Sequence, residues 1–431
     1  MTTPHPAAAV PIGPHTIRRY ALSNGMRLVV HENHTSPSVV LRGHLWAGAV
    51  FEPAEQTGLA SFTASAITHG TTTRTFQQIN EITESVGAAI DVSGGRHLAH
   101  LSGKALAEDF ELIVDVLADV LRNPTFPPAE VSKVGGQLLT SLKELEDDTH
   151  ALANREFRRL LYTPDHPYGR PTSGTLESIA RIQRDDLVNF YRAYYRPQQG
   201  ILVVVGDVTA DAAYEALERR LGDWQPDGEA PAWQLPPLAR LNEPRRLVRT
   251  MTNKTQVDIA LGTVGPSRRS PDVYAAWLAD TILGHLGLMG RLGQTVRDEQ
   301  GLAYYAYSGL EAGLGPGPWS VRAGVAPEHV ERAIASILDE IARLRDEPVS
   351  DQELEDSCDY LTGSLPLRLE TNDGVADTLL HMELYELGDD YIIRYPQLIR
   401  SVTKQQVQQV AQRYLDPEHY ALAIVGPYQA P

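Results

Sequence analysis

The pattern of apolar and polar positions divides the chain into two similar halves. Residues 194–208 read YYRPQQGILVVVGDV, and residues 413–427 read RYLDPEHYALAIVGP. Each segment predicts the end of a helix, a turn containing proline, and a buried strand that ends at glycine. An offset of 220 residues relates three pairs of positions, namely Tyr194 and Tyr414, Pro197 and Pro417, and Gly206 and Gly426. The repeated order predicts an internal duplication.

The beginnings of the two halves also correspond. Each has a predicted strand that ends in glycine, followed within about ten residues by a helix, and later a long amphipathic helix with apolar residues at helical spacing. The segments in order are 38–48, 58–68 and 105–122 in the first half, and 255–265, 274–286 and 327–344 in the second. This order predicts an α+β protein of two homologous domains, each a mostly antiparallel sheet packed with helices on one face.

Proline and polar residues predict where the domains are joined. Residues 223–243, DWQPDGEAPAWQLPPLARLNE, form a predicted linker between an N-terminal domain (16–222) and a C-terminal domain (244–431). The proline-containing residues 1–15 predict a disordered lead-in.

Composition and charge narrow the function classes. The chain has 431 residues and a formal net charge of −17, which argues against nucleic acid or an anionic membrane as its partner. Its single cysteine, Cys358, rules out an internal disulfide and predicts a buried structural thiol. No apolar run of about 18 residues occurs, and the first residues lack a signal-peptide pattern. We therefore expect a cytoplasmic protein with no transmembrane helix.

The segment TGLASFTASAITHG, residues 57–70, predicts a helix that Thr57 caps. Leu59, Phe62 and Ala66 give it a buried stripe, whereas Ser61 and Ser65 share a neighbouring face.

This helix resembles the zinc-binding helix of the insulinase–pitrilysin family, which includes the mitochondrial processing peptidase. The family pattern is G-L-A-H-F-x-E-H, in which two histidines bind zinc and the glutamate activates water. Gly58, Leu59, Ala60 and Phe62 match the pattern. The resemblance implies that Ser61, Ala64 and Ser65 are degenerate zinc-motif positions, because they stand where the first histidine, the glutamate and the second histidine would be.

The resemblance also implies a third ligand, a glutamate about 77 residues further on. Residues 139–142 (LTSL) contain no carboxylate there, although Glu144 and Glu146 are near. Because a serine hydroxyl is a poor zinc ligand and alanine cannot act as a base, we expect no metal and no other cofactor in this chain.

Other histidines are poor replacements for the missing ligands. Two pairs have i, i+3 spacing, which on a strand directs side chains to opposite faces: His31 with His34, and His97 with His100. His381, Glu383 and Glu386 follow an order that is not that of a zinc protease. We expect all of these histidines to be ordinary surface residues.

The second half contains a denser motif, GRLGQTVRDEQGLAYYAYS, at residues 290–308. Gly301 can end a helix, and residues 302–308 then predict a strand. Arg297 and Tyr304 would lie on adjoining elements and can point into one cleft. Upstream, Gly284, Gly287 and Gly290 indicate either a bending loop or tight helix packing.

This motif resembles the signature R-x-x-x-G-L-x-Y of the same family. The resemblance implies that Arg297 and Tyr304 are catalytic and substrate-binding residues that hold the substrate backbone and stabilise the oxyanion. Tyr305 would take this role if the register were shifted by one residue.

Together, the resemblances predict a non-catalytic subunit of a heterodimeric zinc endopeptidase that cleaves peptides or unfolded segments. Some members of the family work as pairs of clam-like chains, in which one subunit holds the zinc and the other supplies arginine and tyrosine. This chain would be inactive alone, and its partner would be a homologous zinc-binding peptidase subunit. The alternatives are a structural subunit, like the zinc-free core proteins of respiratory complexes, and a peptide-binding or chaperone-like protein.

Overall fold

The structure, a computed structural model, describes residues 12–163, 166–226, 228, 229, 231 and 234–429. Most of the predicted lead-in, residues 1–11, lies outside the described residues, as do residues 227, 230, 232 and 233 of the predicted linker.

The described strands follow the predicted order of the duplication. They are β1 (Ile17–Ala21), β2 (Arg27–Glu32), β3 (Ser38–Leu45), β4 (Ala89–Gly94), β5 (Ala99–Leu106), β6 (Ile201–Gly206), β7 (Arg245–Thr250), β8 (Val257–Val264), β9 (Ala303–Leu310), β10 (Pro318–Val325) and β11 (Ala421–Gly426).

The described α-helices fall mostly between the strands of each half. They are α1 (Leu59–Ile67), α2 (Phe76–Glu84), α3 (Phe110–Arg122), α4 (Pro128–Leu145), α5 (Thr149–Leu161), α6 (Leu176–Arg181), α7 (Arg184–Tyr194), α8 (Ala210–Leu221), α9 (Val273–Asp280), α10 (Val330–Asp346), α11 (Asp351–Arg368), α12 (Asn372–Tyr385), α13 (Tyr391–Arg400) and α14 (Lys404–Tyr414).

Two sheets with related topology organise these elements. The strand order is β1-β2-β6-β3-β5-β4 in the first sheet and β7-β11-β8-β10-β9 in the second. In each sheet one neighbouring pair is parallel, β2 with β6 and β7 with β11, and the other pairs are antiparallel. The predicted α+β class with two homologous, mostly antiparallel domains is therefore confirmed.

Helices cover both faces of the first sheet, not one face as the sequence predicted. Successive residues of a strand point to opposite faces of the sheet, and two neighbouring residues of β5 show which helix packs on each face. A Cβ atom at Gly103 would contact Ile113 of α3, whereas the Lys104 ammonium pairs with Asp373 of α12 at 2.7 Å. All six residues of β6 are buried, which requires that helices cover the sheet on both faces at this strand.

The second sheet is covered in the same way. From β10, Trp319 donates its indole N–H to Asp280 at the end of α9 (2.9 Å), while Arg322 on the opposite face bonds to Asn154 of α5. The inner strand β11, which lies between β7 and β8, is again buried along all six residues.

In each compact unit, the helix that covers the second face of the sheet comes from the opposite half of the sequence. One compact unit contains the residues up to Leu142, Pro171–Gln234 and Leu365–Arg394, and the other contains Lys143–Arg170, Leu235–Ser364 and the residues from Tyr395 onward. The first unit therefore takes α12 from the second half of the chain, and the second unit takes α5 from the first half. The sequence-based domain limits did not include this exchange and remain a prediction.

The structure also bears on two expectations drawn from composition. Cys358 is buried, as predicted, with its sulfur 3.9 Å from the carbonyl oxygen of Ile399. Within the described part of the chain, no helix has the length and apolar character needed to cross a bilayer.

Replacing Gly206 by alanine tests the repeated strand ends. Gly206 has φ +144°, and an added Cβ atom would lie 2.1 Å from the carbonyl oxygen of Ser38 on β3. We expect Gly206→Ala to lower the free energy of unfolding by roughly 1–3 kcal/mol through overpacking, measured by urea denaturation.

Gly136→Ala is the matched control, since Gly136 lies exposed within α4 and an added Cβ atom would contact nothing within 4 Å. This variant should be stabilised by up to about 1 kcal/mol. Equal unfolding free energies for the two variants would contradict the packing at β3.

Candidate functional site

Helix α1 carries the degenerate motif, and it begins differently from the prediction. Its first turn is capped by the Glu52 carboxylate, which accepts the N–H groups of Gly58 (2.9 Å) and Ala60 (2.7 Å). The predicted cap, Thr57, is wrong because its hydroxyl donates to the carbonyl of Ala54 at 2.8 Å. Glycine at the start of a helix leaves the amide groups without a side-chain cap, so a nearby upstream acid is the signal that would have found Glu52.

The three degenerate motif positions take part in packing and in hydrogen bonds to the backbone. The Ser61 hydroxyl donates to the carbonyl of Thr172 at 2.7 Å and lies 3.4 Å from that of Gly94. A Cβ atom at Gly94, the last residue of β4, would lie 2.6 Å from the Ser61 Cα atom. Ala64 is completely buried, and Ser65 is half-buried. Hydroxyl and methyl groups in this setting do not fit a zinc ion.

The carboxylates near the predicted third ligand position have other environments. Residues 139–142 lie within α4, and Glu144 near its end is exposed. Glu146 accepts from Arg155 (2.5 Å) and Arg249 (2.6 Å), and these guanidinium groups hold the pKa of its carboxyl below the ordinary range. No group of three or more His, Cys, Asp or Glu side chains in the described residues is arranged to hold a metal ion.

The remaining histidines have individual partners. His34 lies 2.6 Å from the Asp207 carboxylate on the surface. His31 is buried against the carbonyl of Thr16, so its prediction as a surface residue is wrong. His97 is half-buried, and partial burial lowers the pKa of its imidazole to about 4. His100 contacts the edge of the His44 ring across β3 and β5.

The Arg297 side chain comes from a short π-helical segment, Gly293–Glu299, directly before β9. π-Helical turns are uncommon and are enriched at functional sites. Gly301, with φ +61°, lies between this segment and the strand, and the helical segment ends just before it, as the sequence predicted. The upstream glycines allow close packing, since a Cβ atom at Gly284 would lie 2.7 Å from the amide nitrogen of Ser308 on β9.

A β-bulge presents Tyr304. In the pairing with β10, Ala303 lies opposite Val325 and Tyr305 lies opposite Gly324, so Tyr304 has no partner across the strands. The extra residue redirects its side chain, which is 78% exposed. The Arg297 guanidinium carbon lies 6.0 Å from the centre of the Tyr304 ring. The structure thus brings together the two side chains that the sequence singled out.

Tyr305, the alternative in the prediction, has a structural partner instead. Its hydroxyl donates to the buried Asp258, which also accepts from Thr149 (2.5 Å) and Gln256 (3.1 Å). Burial and this hydrogen bond raise the pKa of Tyr305. Tyr304 is therefore the tyrosine whose hydroxyl remains accessible beside Arg297.

Neither the Arg297 guanidinium nor the Tyr304 hydroxyl has a hydrogen-bond or ion-pair partner in the described part of the chain. Arg291 provides a contrast, because it is mostly buried and its guanidinium binds Glu353 at 2.7 Å. Arg297 is half-buried, and its donors are still available to a ligand. A guanidinium beside a phenol can donate hydrogen bonds to a carbonyl oxygen or an oxyanion.

Comparison with known proteins identifies the family. Residues 27–175 match the family model described as insulinase (peptidase family M16), and residues 181–361 match the model described as peptidase M16 inactive domain. Together these matches cover more than half of the chain. The chain belongs to peptidase family M16.

Relatives of this M16 protein include bacterial chains of similar length. It is 26% identical to the uncharacterized zinc protease YmxG of Bacillus subtilis over 419 residues, covering 95% of this chain and 98% of the relative. It is 28% identical to an uncharacterized zinc protease of Mycobacterium tuberculosis over 428 residues, covering 99% and 96% of the two chains.

Solved structures share the M16 fold. A peptidase M16 inactive domain protein from Pseudomonas fluorescens aligns with a TM-score of 0.89 at 24% identity, covering 96% of this chain and 99% of the other. A protease from Helicobacter pylori aligns with a TM-score of 0.88 at 17% identity, covering 95% and 99%. At these identities, the likeness shows the fold alone.

Placing the family's histidine, glutamate and histidine at positions 61, 64 and 65 tests whether the packing around α1 leaves room for a zinc ion. We expect the variant Ser61→His/Ala64→Glu/Ser65→His to hold no stoichiometric zinc, as measured by metal analysis. Ala64 is completely buried, so a glutamate there should also cost about 3–5 kcal/mol of stability as an unpaired buried charge.

Ser65→His alone is the control, because position 65 is half-buried and can direct an imidazole outward. A triple variant that binds about one zinc per chain with unchanged stability would contradict this account.

Exchanging each tyrosine for phenylalanine distinguishes structural from available hydroxyl groups. Tyr305→Phe removes a donor from the buried Asp258 carboxylate and should cost about 1–3 kcal/mol in urea denaturation. Tyr304→Phe should change stability by less than about 0.5 kcal/mol, since its hydroxyl has no partner in the described residues. A larger loss for Tyr304→Phe than for Tyr305→Phe would reverse the assignment.

Proposed function

We propose that this chain is the non-catalytic subunit of a heterodimeric zinc endopeptidase, to which it contributes Arg297 and Tyr304. The observation that carries the proposal is the pair itself, an unpaired guanidinium 6.0 Å from the ring of an exposed tyrosine. Family membership supports peptidase chemistry, and the relatives named zinc proteases are consistent with it.

The need for a partner follows from the degenerate motif. Hydrolysis of a peptide bond by this family's chemistry requires a metal ligand set and a base, and Ser61, Ala64 and Ser65 provide neither. We infer that a homologous subunit with an intact H-x-x-E-H motif provides both. Its zinc, when bound, would polarise the scissile carbonyl and activate water.

Arg297 and Tyr304 would act on the substrate by hydrogen bonding. A peptide carbonyl accepts hydrogen bonds, and its oxygen gains negative charge as the tetrahedral intermediate forms. The guanidinium would stabilise that charge, and the phenol hydroxyl would donate as a neutral group. Because these contacts are to the backbone, they suit peptides or unfolded segments of varied sequence.

Arg297→Ala and Tyr304→Phe test this role in the reconstituted pair. We expect each substitution to lower kcat for an unstructured peptide by about 10²–10³-fold, the usual loss when one oxyanion donor is removed. Assembly with the zinc-binding subunit should be unchanged, as measured by size-exclusion chromatography. The chain alone should show no peptidase activity.

Matched controls come from the same unit. Arg332→Ala removes an exposed arginine of α10, and Tyr307→Phe removes a hydroxyl from β9. Neither parent side chain forms a hydrogen bond or ion pair in the described part of the chain, so both variants should keep full turnover. Full activity of the Arg297 and Tyr304 variants in an assembled, active pair would refute the shared-site proposal.

A further inference from the structure

Side chains of α10 hold the π-helical segment that carries Arg297. The Thr295 hydroxyl donates to the Glu340 carboxylate at 2.9 Å, and the Gln300 amide donates to the Ser336 hydroxyl at 2.9 Å. These bonds start two residues before and three residues after Arg297. We call the four residues Thr295, Glu340, Gln300 and Ser336 the π-clamp.

Glu340 is an unusual residue for its position. It lies on the buried side of α10 between Ile337 and Ile341 and is only 2% exposed. Its Oε1 atom accepts from Thr295 and from Arg343 (2.7 Å), while its Oε2 atom is buried with no hydrogen-bond partner in the described residues. Apolar residues generally stabilise such a position as well as a buried charge does. Packing alone therefore does not account for a carboxylate here.

Arg297 depends on its backbone for orientation. No ion pair within the described residues holds its guanidinium, whose carbon atom lies 6.0 Å from the centre of the exposed Tyr304 ring. The backbone at Arg297 is part of a π-helical turn, a rare conformation with hydrogen bonds between residues five apart. Bonds that hold this turn to α10 on both sides of Arg297 therefore restrict where the guanidinium can point.

We propose that Thr295 and Glu340 are positioning residues for Arg297, with Gln300 and Ser336 as a second attachment of the same turn. The proposal rests on the proposed function, because the consequence of positioning is measured in the paired peptidase. Displacement of a substrate-binding group by about 1 Å can lower turnover by up to about 10²-fold. Loss of the clamp should therefore lower kcat without removing any group that contacts substrate.

A double-mutant cycle between Thr295 and Arg297 tests the proposal. The variants Thr295→Val, Arg297→Ala and Thr295→Val/Arg297→Ala are each paired with the zinc-binding subunit, and kcat and KM are measured on an unstructured peptide. Thr295→Val alone should lower kcat by about 10-fold to 100-fold. In the Arg297→Ala background it should cause no further loss, because the residue it positions is gone.

Conservative variants and a stability control separate positioning from folding. Thr295→Ser keeps the donor and Glu340→Gln keeps an acceptor, so both should retain turnover close to that of the unmodified pair. Thr83→Val removes a buried hydroxyl from the other compact unit, where it donates to the carbonyl of Ile79 at 3.0 Å. It should lower the Tm of the chain about as much as Thr295→Val while leaving kcat unchanged.

The outcomes distinguish this inference from the proposed function. If Arg297→Ala lowers kcat but Thr295→Val does not, the clamp is refuted and the proposed function stands. If Thr295→Val lowers kcat equally in both backgrounds, Thr295 acts independently of Arg297 and the clamp is also refuted. If Arg297→Ala leaves kcat unchanged, the proposed function itself fails.

Discussion

The structure depends on burying both faces of an inner strand in each sheet. Six consecutive residues are buried in β6 and six in β11, so neither strand can have a face in water. The helices that follow along the chain in each half cover one face. The other face is covered by α12 in the first unit and by α5 in the second, each taken from the opposite half of the chain. Each compact unit is therefore completed by a helix that is distant in sequence.

The two signature motifs have different environments in the folded chain. At α1 the zinc ligands are absent and no space is left for a metal ion. Ser61 donates to a backbone oxygen, and β4 packs tightly against the helix at Gly94. At β9 the opposite holds, because Tyr304 is displaced by a bulge into solvent and Arg297 has no acidic partner in the described residues. Our proposal that Arg297 and Tyr304 bind substrate rests on this difference between the two motifs.

Much of the fold could be predicted because the signals are local. The buried strands ending at Gly206 and Gly426, and the turn at Gly301 between Arg297 and β9, follow from apolar runs and glycine positions. The cap of α1 was misassigned because Thr57 is adjacent to the helix, whereas the residue that caps it, Glu52, arrives from an upstream turn. His31 was expected on the surface, but its strand is paired on both sides and enclosed.

By itself, the sequence determined the duplication, the α+β class and the identity of Arg297 and Tyr304 as the residues of interest. These depend on residue order and on periodicities of two to four residues, which a single chain displays directly. Only the tertiary structure decided that Tyr304 and not Tyr305 faces Arg297, because a bulge opposite Val325 and Gly324 sets the direction of the side chain. The exchange of α5 and α12 and the contact of Thr295 with Glu340 were likewise settled in three dimensions, since residues distant in sequence meet only when the sheets and helices pack.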